Sequence, residues 1–300
     1  MARPLDNQVV VITGASSGIG RETAMRLAGR GAKVIVSARR DEALDDLVSE
    51  IKAAGGEATS VPVDVSKFEE VEALARLAAE TYGRIDTWVN NAGVLIVGDF
   101  EETDLEEARR LFDVNFWGEV HGMKAVLPIM REQGEGTIIN VTSMTARRPL
   151  PLMSVYSASK SAVNGLTEAL RAEIKGSGIE LCLVMPATID TPLYANARSK
   201  EGVSPRAVPP IYPPSEVARA IEKAAESPTR DIYAGPAGML FNLSNIIMPG
   251  LLDKALGKFT RPALLTDRPE PASGTDNLDS PRHDTPATTS GGWRTPQYKA

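Results

Sequence analysis

A chain of 300 residues with 42% apolar and 24% charged side chains can bury a sizeable core and is neither fibrous nor disordered throughout. Its net charge of -6, from 33 basic and 39 acidic residues, argues against an electrostatic nucleic-acid binder. The single cysteine, Cys182, excludes an intramolecular disulfide, and the two histidines, His121 and His283, exclude most histidine catalysis and most transition-metal sites. A reducing, cytoplasmic setting and no metal are the expectation.

Residues 1–8 lack the basic, apolar and small-residue series of a signal peptide. From Val9 onward, short β-branched runs alternate with longer helical patterns. This predicts repeated βαβ units and an α/β fold, a doubly wound parallel sheet of seven strands buried on both faces. Strands are expected at residues 9–13, 33–37, 58–63, 87–90, 137–141, 179–184 and 231–234. Ser66 with Glu69, and Thr103 with Glu106, fit the capping box that opens a helix. Residues 191–214 hold six prolines with few helical signals, the pattern of a long loop that can serve as an active-site lid.

From Ile232 to Leu252 no residue is charged, a length that nominally crosses a bilayer. Pro236, Pro249, Gly235, Gly238 and Gly250 break it, so no transmembrane span is expected. A last strand and a helical segment over 239–258, lying in a subunit interface, explain it better than interfacial membrane contact. Residues 266–300 shift to Pro, Ser, Thr, Gly and Asp with hardly any aliphatic side chains, which predicts a disordered polar tail. Trp293 and Tyr298 near its end read as solvated more readily than as docked on a partner.

After the first strand comes Gly14-x-x-x-Gly18-x-Gly20, then helical periodicity from Arg21. Small residues there let backbone amides approach phosphate oxygens at a helix start, so Gly14, Ser16, Ser17, Gly18, Ile19 and Gly20 are candidates for a pyrophosphate site. The same letters fit G-x-S-x-G with Ser16 as a hydrolase nucleophile, which requires a later acid and then a histidine. His121 comes too early and His283 lies in the expected tail, so that reading fails. The second strand ends in Ser37-Ala38-Arg39-Arg40 with no carboxylate, and Arg39 offers a planar fork to a ribose 2′-phosphate. Past the third strand, Asp64 and Val65 can face an adenine amino group.

Tyr156 and Lys160 are four apart at the start of a predicted long helix and share one face. A free tyrosine titrates near ~10, so acid/base work near pH 7 needs roughly 4 kcal/mol of differential stabilisation, which a fixed ammonium and a nicotinium charge can supply. Ser143 follows the fifth strand, thirteen residues before Tyr156, and Asn115 is a polar residue in an apolar helix that demands a partner if buried.

Taken in order, the glycine turn, Asn90-Asn91-Ala92-Gly93, Asn115, Ser143, Tyr156-x-x-x-Lys160 and the stretch from Pro186 to Thr191 closely resemble the short-chain dehydrogenases/reductases over roughly residues 5–235. The resemblance implies a Rossmann domain over residues 1–265 that binds NADP or NAD. In it Tyr156 donates or accepts the proton, Lys160 binds the nicotinamide ribose and lowers the tyrosine pKa, Ser143 polarises the substrate oxygen, and Asn115 holds a water of the proton relay. It also places Asn91, Ala92 and Gly93 at the cofactor ribose, and Pro186, Ile189 and Thr191 at the nicotinamide. Two departures are visible. Pro186 is followed by Ala187 where the family usually has glycine, and Ser17 stands where many NADP-preferring members carry a base, so an NADP preference rests on Arg39.

The implied reaction is hydride transfer between the nicotinamide and a carbonyl or secondary alcohol of an apolar small molecule, with a homodimer or homotetramer as the assembly. Leu95, Ile96, Leu150 to Met153, Leu193 and Tyr194 are the expected pocket, and Arg147 or Arg148 can bind an anionic tail. A catalytically idle dinucleotide sensor and a membrane-associated lipid carbonyl reductase are the alternatives.

Overall fold

Val9 and Val11 pack into one apolar cluster and Val10 and Ile12 into another, the period-two alternation of a strand covered on both faces. The computed structural model describes residues 3–269 and 276–295. Seven strands form one sheet: β1 (Val9–Thr13), β2 (Lys33–Ala38), β3 (Glu57–Pro62), β4 (Thr87–Asn90), β5 (Gly136–Val141), β6 (Ile179–Pro186) and β7 (Asp231–Ala234). Their order is β7-β6-β5-β4-β1-β2-β3, and every pair is parallel. Helices α1 (Gly18–Ala28), α2 (Asp41–Ala53) and α7 (Pro214–Glu226) cover one face. On the other lie α3 (Phe68–Tyr82), α5 (Gly118–Gln133) and α6 (Ser154–Glu173). The strand order reverses between β1 and β4, which opens a crevice at their carboxyl ends.

All seven expected strands are present, with ends shifted by a residue or two. The two capping boxes are not. The first expected helix starts at Phe68 and the second, α4 (Leu105–Phe112), starts at Leu105. Ser66 Oγ instead donates to Asp64 Oδ1 at 2.7 Å, and Thr103 Oγ1 to the Asp99 carbonyl at 3.3 Å. A nearer acceptor takes each hydroxyl, and the helix begins without a side-chain cap.

The lid stretch 191–214 is pinned rather than free-standing. Arg198–Ser199 pairs with Ile96–Val97, and Val203–Pro205 pairs with Leu265–Pro269. Beyond β7, α8 (Pro236–Ile247) and α9 (Pro249–Leu264) form a helical hairpin whose outer face exposes Met239, Leu243, Ile246, Ile247 and Leu251. Among the described residues no helix is long and apolar enough to cross a membrane.

The expected disordered tail departs furthest from the structure. Residues 276–295 lie against the domain, with Leu278 fully buried and Trp293 7% exposed. Composition missed this because the segment brings little core of its own. Its backbone carbonyls and carboxylates are gathered by arginines already fixed on the domain, Arg39, Arg40, Arg110 and Arg198. Residues 270–275 and 296–300, including Tyr298, lie outside the described residues.

Below the crevice runs a buried amide chain. Trp88 Nε1 donates to Asn90 Oδ1 at 2.7 Å, Asn90 Nδ2 to Asn140 Oδ1 at 2.8 Å, and Asn140 Nδ2 to Thr167 Oγ1 at 2.9 Å. It ties β4, β5 and α6 together. Removing Asn140 takes one hydrogen bond each from Asn90 Nδ2 and Thr167 Oγ1, which keep the Glu119 and Val163 carbonyls, and each lost bond costs about 0.5–1.5 kcal/mol. Asn140→Leu is therefore expected to lower the unfolding free energy by about 1–3 kcal/mol in a denaturant titration.

Candidate active site

The crevice is a cavity of about 460 Å³ at the carboxyl ends of β1, β2, β4, β5 and β6, a volume typical of small-molecule sites. Its floor is the glycine turn. Gly14 sits at φ +67°, and a Cβ there would lie 2.6 Å from Ala92 Cα. At Gly20 a Cβ would meet the Gly14 carbonyl oxygen at 2.4 Å. Gly14, Ser16, Ser17, Gly18, Ile19, Ala92 and Gly93 lie on the cavity wall, whereas Gly20 packs behind the turn and does not reach the wall. Asn91 also reaches the wall, but its side-chain amide is committed to the turn. Nδ2 donates to the Thr13 and Gly14 carbonyls at 2.9 and 3.2 Å. Ser17 stands at the start of α1 without a side-chain cap, so the first-turn amides turn to other acceptors.

At the end of β2, Arg39 is desolvated by burial, which lowers its pKa, with Asp64, Arg110 and Asp279 as its charged neighbours. Asp64 lies on the wall with Val65. Burial raises its pKa, but the Ser66 hydrogen bonds and the Arg110 guanidinium at 3.0 Å outweigh this and hold it below the usual carboxylate value. That carboxylate is thus already engaged, which weakens the expected contact to an adenine amino group.

Ser143, Tyr156 and Lys160 converge on the wall from the end of β5 and the first turns of α6. Burial pushes the Tyr156 phenol up to about 12; a hydrogen bond with Ser143 pulls it down and the Glu119 carboxylate pushes it further up. Lys160 does not aim its charge at the tyrosine alone. Its Nζ donates to Glu119 Oε1 at 2.8 Å and to the Val141 carbonyl at 3.0 Å. Within the protein, then, the lysine charge that was expected to lower the phenol is matched by a buried carboxylate.

Asn115 lies in a π-helical turn, Asp113–Trp117, that joins α4 to α5, a device that re-aims side chains at functional sites. It is fully buried, off the cavity wall, and clamps both backbone groups of one residue: Oδ1 accepts from Val94 N at 2.8 Å and Nδ2 donates to Val94 O at 2.9 Å. Its side chain holds the loop after β4 rather than pointing a free amide at a relay water. Pro186, Ile189 and Thr191 are on the wall, and Ile189 bridges to Tyr212. Leu150, Met153, Leu193 and Tyr194 line the apolar end, while Leu95 and Ile96 are core residues away from it. Arg147 pairs with Glu168 and Arg148 with Asp253, so neither is poised for an anionic substrate. Among the described residues no cluster could hold a metal.

Sequence reasoning missed Glu119. Its signal was there: a carboxylate four residues after Asn115 on the same buried helical face. Burial raises its carboxyl from an ordinary 4.5 to about 7 even with the Lys160 ammonium beside it. Oε2 has no hydrogen-bond partner among the described residues.

Residues 8–202 match the short chain dehydrogenase family. The chain is a short-chain dehydrogenase/reductase. It is 40% identical over 273 residues, 89% of this chain and 76% of the relative, to YxnA, an uncharacterized oxidoreductase of Bacillus subtilis (strain 168). Among solved structures, a short-chain dehydrogenase/reductase from Burkholderia phymatum in complex with NAD superposes with a TM-score of 0.74 at 29% identity, covering 83% of this chain and 96% of that one. A metagenomic short-chain oxidoreductase in complex with NADP gives a TM-score of 0.65 at 30% identity, covering 77% and 98%. This reductase/dehydrogenase is accordingly an oxidoreductase that uses a nicotinamide dinucleotide. The residues fit that group: the glycine turn leaves a floor that a single Cβ would fill, and the start of α1, which has no side-chain cap, lies beside it.

The Glu119 carboxyl makes stability depend on pH. Its folded value lies above its unfolded one, so the folded state holds the proton more tightly and stability falls as pH rises from about 4.5 through about 7. The loss is on the order of 3 kcal/mol. Denaturant unfolding at pH 5 and pH 8 is expected to show that decline in the parent protein and to lack it in Glu119→Gln.

Proposed function

We propose that the protein is an NADP-dependent oxidoreductase that interconverts a carbonyl and a secondary alcohol on an apolar small molecule, in the cytoplasm, as a homodimer or homotetramer. The observation that carries this reading is the meeting of Ser143, Tyr156 and Lys160 on the wall of a cavity that also holds the apolar side chains of Leu150, Met153, Leu193 and Tyr194. Bound there, the nicotinamide supplies or takes the hydride. The chain's own residues handle the proton and the geometry.

In the reducing direction Tyr156 gives its hydroxyl proton to the substrate oxygen as negative charge develops there, and Ser143 donates a hydrogen bond to the same oxygen. A phenol held near about 12 by burial is fully protonated at neutral pH and so stands ready as a donor. Lys160 holds a positive charge one turn away, fixed by Glu119 and the Val141 carbonyl. Leu150, Met153, Leu193 and Tyr194 exclude water from the reacting end and favour a ketone, aldehyde or alcohol without charge. At the other end Gly14, Ser16, Ser17, Gly18 and Ile19 would hold the pyrophosphate, and Ala92, Gly93 and Thr191 would flank the nicotinamide half. Arg39, with no carboxylate at the end of β2, favours a 2′-phosphate and therefore NADP over NAD.

One observation favours a lipid-borne substrate as a second reading. Phe241 and Phe259 lie on the cavity wall, and the same helical hairpin exposes Ile246 and Ile247 to solvent. Cosedimentation with neutral phospholipid vesicles that is abolished by Ile247→Asp supports it; absence of cosedimentation removes it.

Two variants test the main reading on a panel of apolar ketones and aldehydes. Tyr156→Phe is expected to abolish turnover while leaving NADPH binding within about threefold, because it removes one hydroxyl and leaves Lys160, the glycine turn and Arg39 to hold the cofactor. Arg39→Ala is expected to weaken NADPH about 10- to 100-fold and NADH hardly at all, as loss of a charge-assisted hydrogen bond implies. Unchanged turnover in the first would overturn the catalytic assignment, and equal losses for both nucleotides in the second would overturn the NADP preference.

A further inference from the structure

We propose that residues 276–295 are a strap belonging to the dinucleotide site, which closes over bound cofactor and must lift for it to leave. The proposal rests on the nicotinamide dinucleotide reading and extends it to a segment that carries none of the motif residues.

The strap is anchored at three places along the crevice. At the end of β2, Arg39 donates to the main-chain carbonyls of Asn277 and Asp279, and Arg40 to those of Arg282 and Thr285. Over the glycine turn, the Gly18 amide donates to the Thr288 carbonyl at 2.9 Å. At the far end, Trp293 N donates to Asp190 Oδ1 at 2.8 Å and Trp293 Nε1 to the Thr191 carbonyl at 2.9 Å, while its ring stands edge-on to Tyr194. One segment therefore runs from the residues placed for the 2′-phosphate to those placed for the nicotinamide. The last anchor is close-fitting. A Cβ on Gly291 would lie 2.3 Å from the Thr191 carbonyl oxygen and 2.4 Å from Trp293 Nε1.

Two features favour a roof over a plug, although the Thr288 carbonyl sits on the Gly18 amide placed for the pyrophosphate and must leave it when that group binds. Asn277, Pro281, Arg282 and Thr285 share the cavity wall with Ser16 and Lys160, so the cavity persists beneath them. A segment imitating the cofactor would also set a carboxylate on the phosphate-facing arginines. Here the hydrogen bonds of Arg39 and Arg40 to the strap go only to neutral carbonyls, and the Asp279 carboxylate acts on Arg39 as a charged neighbour without bonding it. The strap's carboxylates are held elsewhere, Asp276 and Asp279 by Arg198 and Asp284 by Arg282. Asp64, the other acidic group facing Arg39, pairs with Arg110. Each guanidinium has five N–H groups, so donors remain on Arg39 for a phosphate after two carbonyls are served.

The test uses the full chain with Gly291→Ala and Trp293→Ala, two substitutions away from the reacting groups, each checked for an unchanged far-ultraviolet spectrum. The readouts are NADPH dissociation by stopped-flow displacement, NADPH affinity by titration, and trypsin cleavage at Arg282 and Arg294 with and without NADPH. A strap predicts release at least tenfold faster in both variants, weaker affinity to match, and slower cleavage when NADPH is bound to the parent protein. Unchanged release in both variants would falsify the strap, as would tighter NADPH binding or cleavage hastened by NADPH, which are the marks of a competing plug. If the parent protein binds neither NADPH nor NADH, the dinucleotide reading falls and takes the strap with it. Binding with unchanged release sinks the strap alone.

Discussion

Contact between the glycine turn and the loop after β4 is the constraint from which the rest of the site follows. Gly14 and Ala92 approach so closely that no side chain fits between them, and Asn91 bonds the two backbones together. From the opposite side Asn115 grips both backbone groups of Val94. Ala92 and Gly93, between these grips, cannot shift without breaking one. Gly93 is thereby held beside both Asn115 Oδ1 and the Lys160 ammonium, where its ideal Cβ would lie 3.4 and 3.8 Å from them. A cofactor floor and a catalytic wall carried by different halves of the sheet are thus set at one spacing, which is the pre-organisation that hydride and proton transfer demand.

Beneath that wall lies a buried ion pair. Glu119 and Lys160 are each almost without solvent contact, and such a pair loses in desolvation much of what it gains in attraction. Its value is positional. The ammonium is bound to a carboxylate and a strand-end carbonyl, so its location does not depend on what occupies the cavity. The same carboxylate works against ionisation of Tyr156, which keeps the phenol protonated. Reduction and oxidation then make unequal demands on the site, since only oxidation requires the phenol to lose its proton beforehand.

How much was legible in the sequence follows from which forces were local. The seven strands were readable because β-branched runs such as Val9–Thr13 carry their own signal, and Tyr156 and Lys160 because helical spacing puts them together. Motif spacing placed the glycine turn but not the division of labour within it, since Gly20 and Asn91 hold the backbone in shape by contacts to distant residues. The capping boxes at Ser66 and Thr103 failed because a hydroxyl takes the nearest acceptor, which only the folded chain defines. Glu119 was overlooked because a charge in a helix reads as solvent-facing until its buried partner is known. The tail was misread for a related reason. Polar composition says a segment cannot build a core, and is silent on arginines elsewhere that can collect its carbonyls.

The bond between Gly18 and Thr288 joins residues 270 positions apart, nearly the whole span of the chain. During synthesis the first βαβ unit emerges early and can fold as the ribosome moves on, whereas this contact waits until residue 288 has appeared. The sheet and its catalytic wall can therefore exist for seconds before the crevice acquires its cover. A chain clipped near residue 270 would keep the motif residues and lose the cover. Arrival of the strap is in this way written into the nucleotide site itself, at the point where α1 meets a turn made 270 residues later.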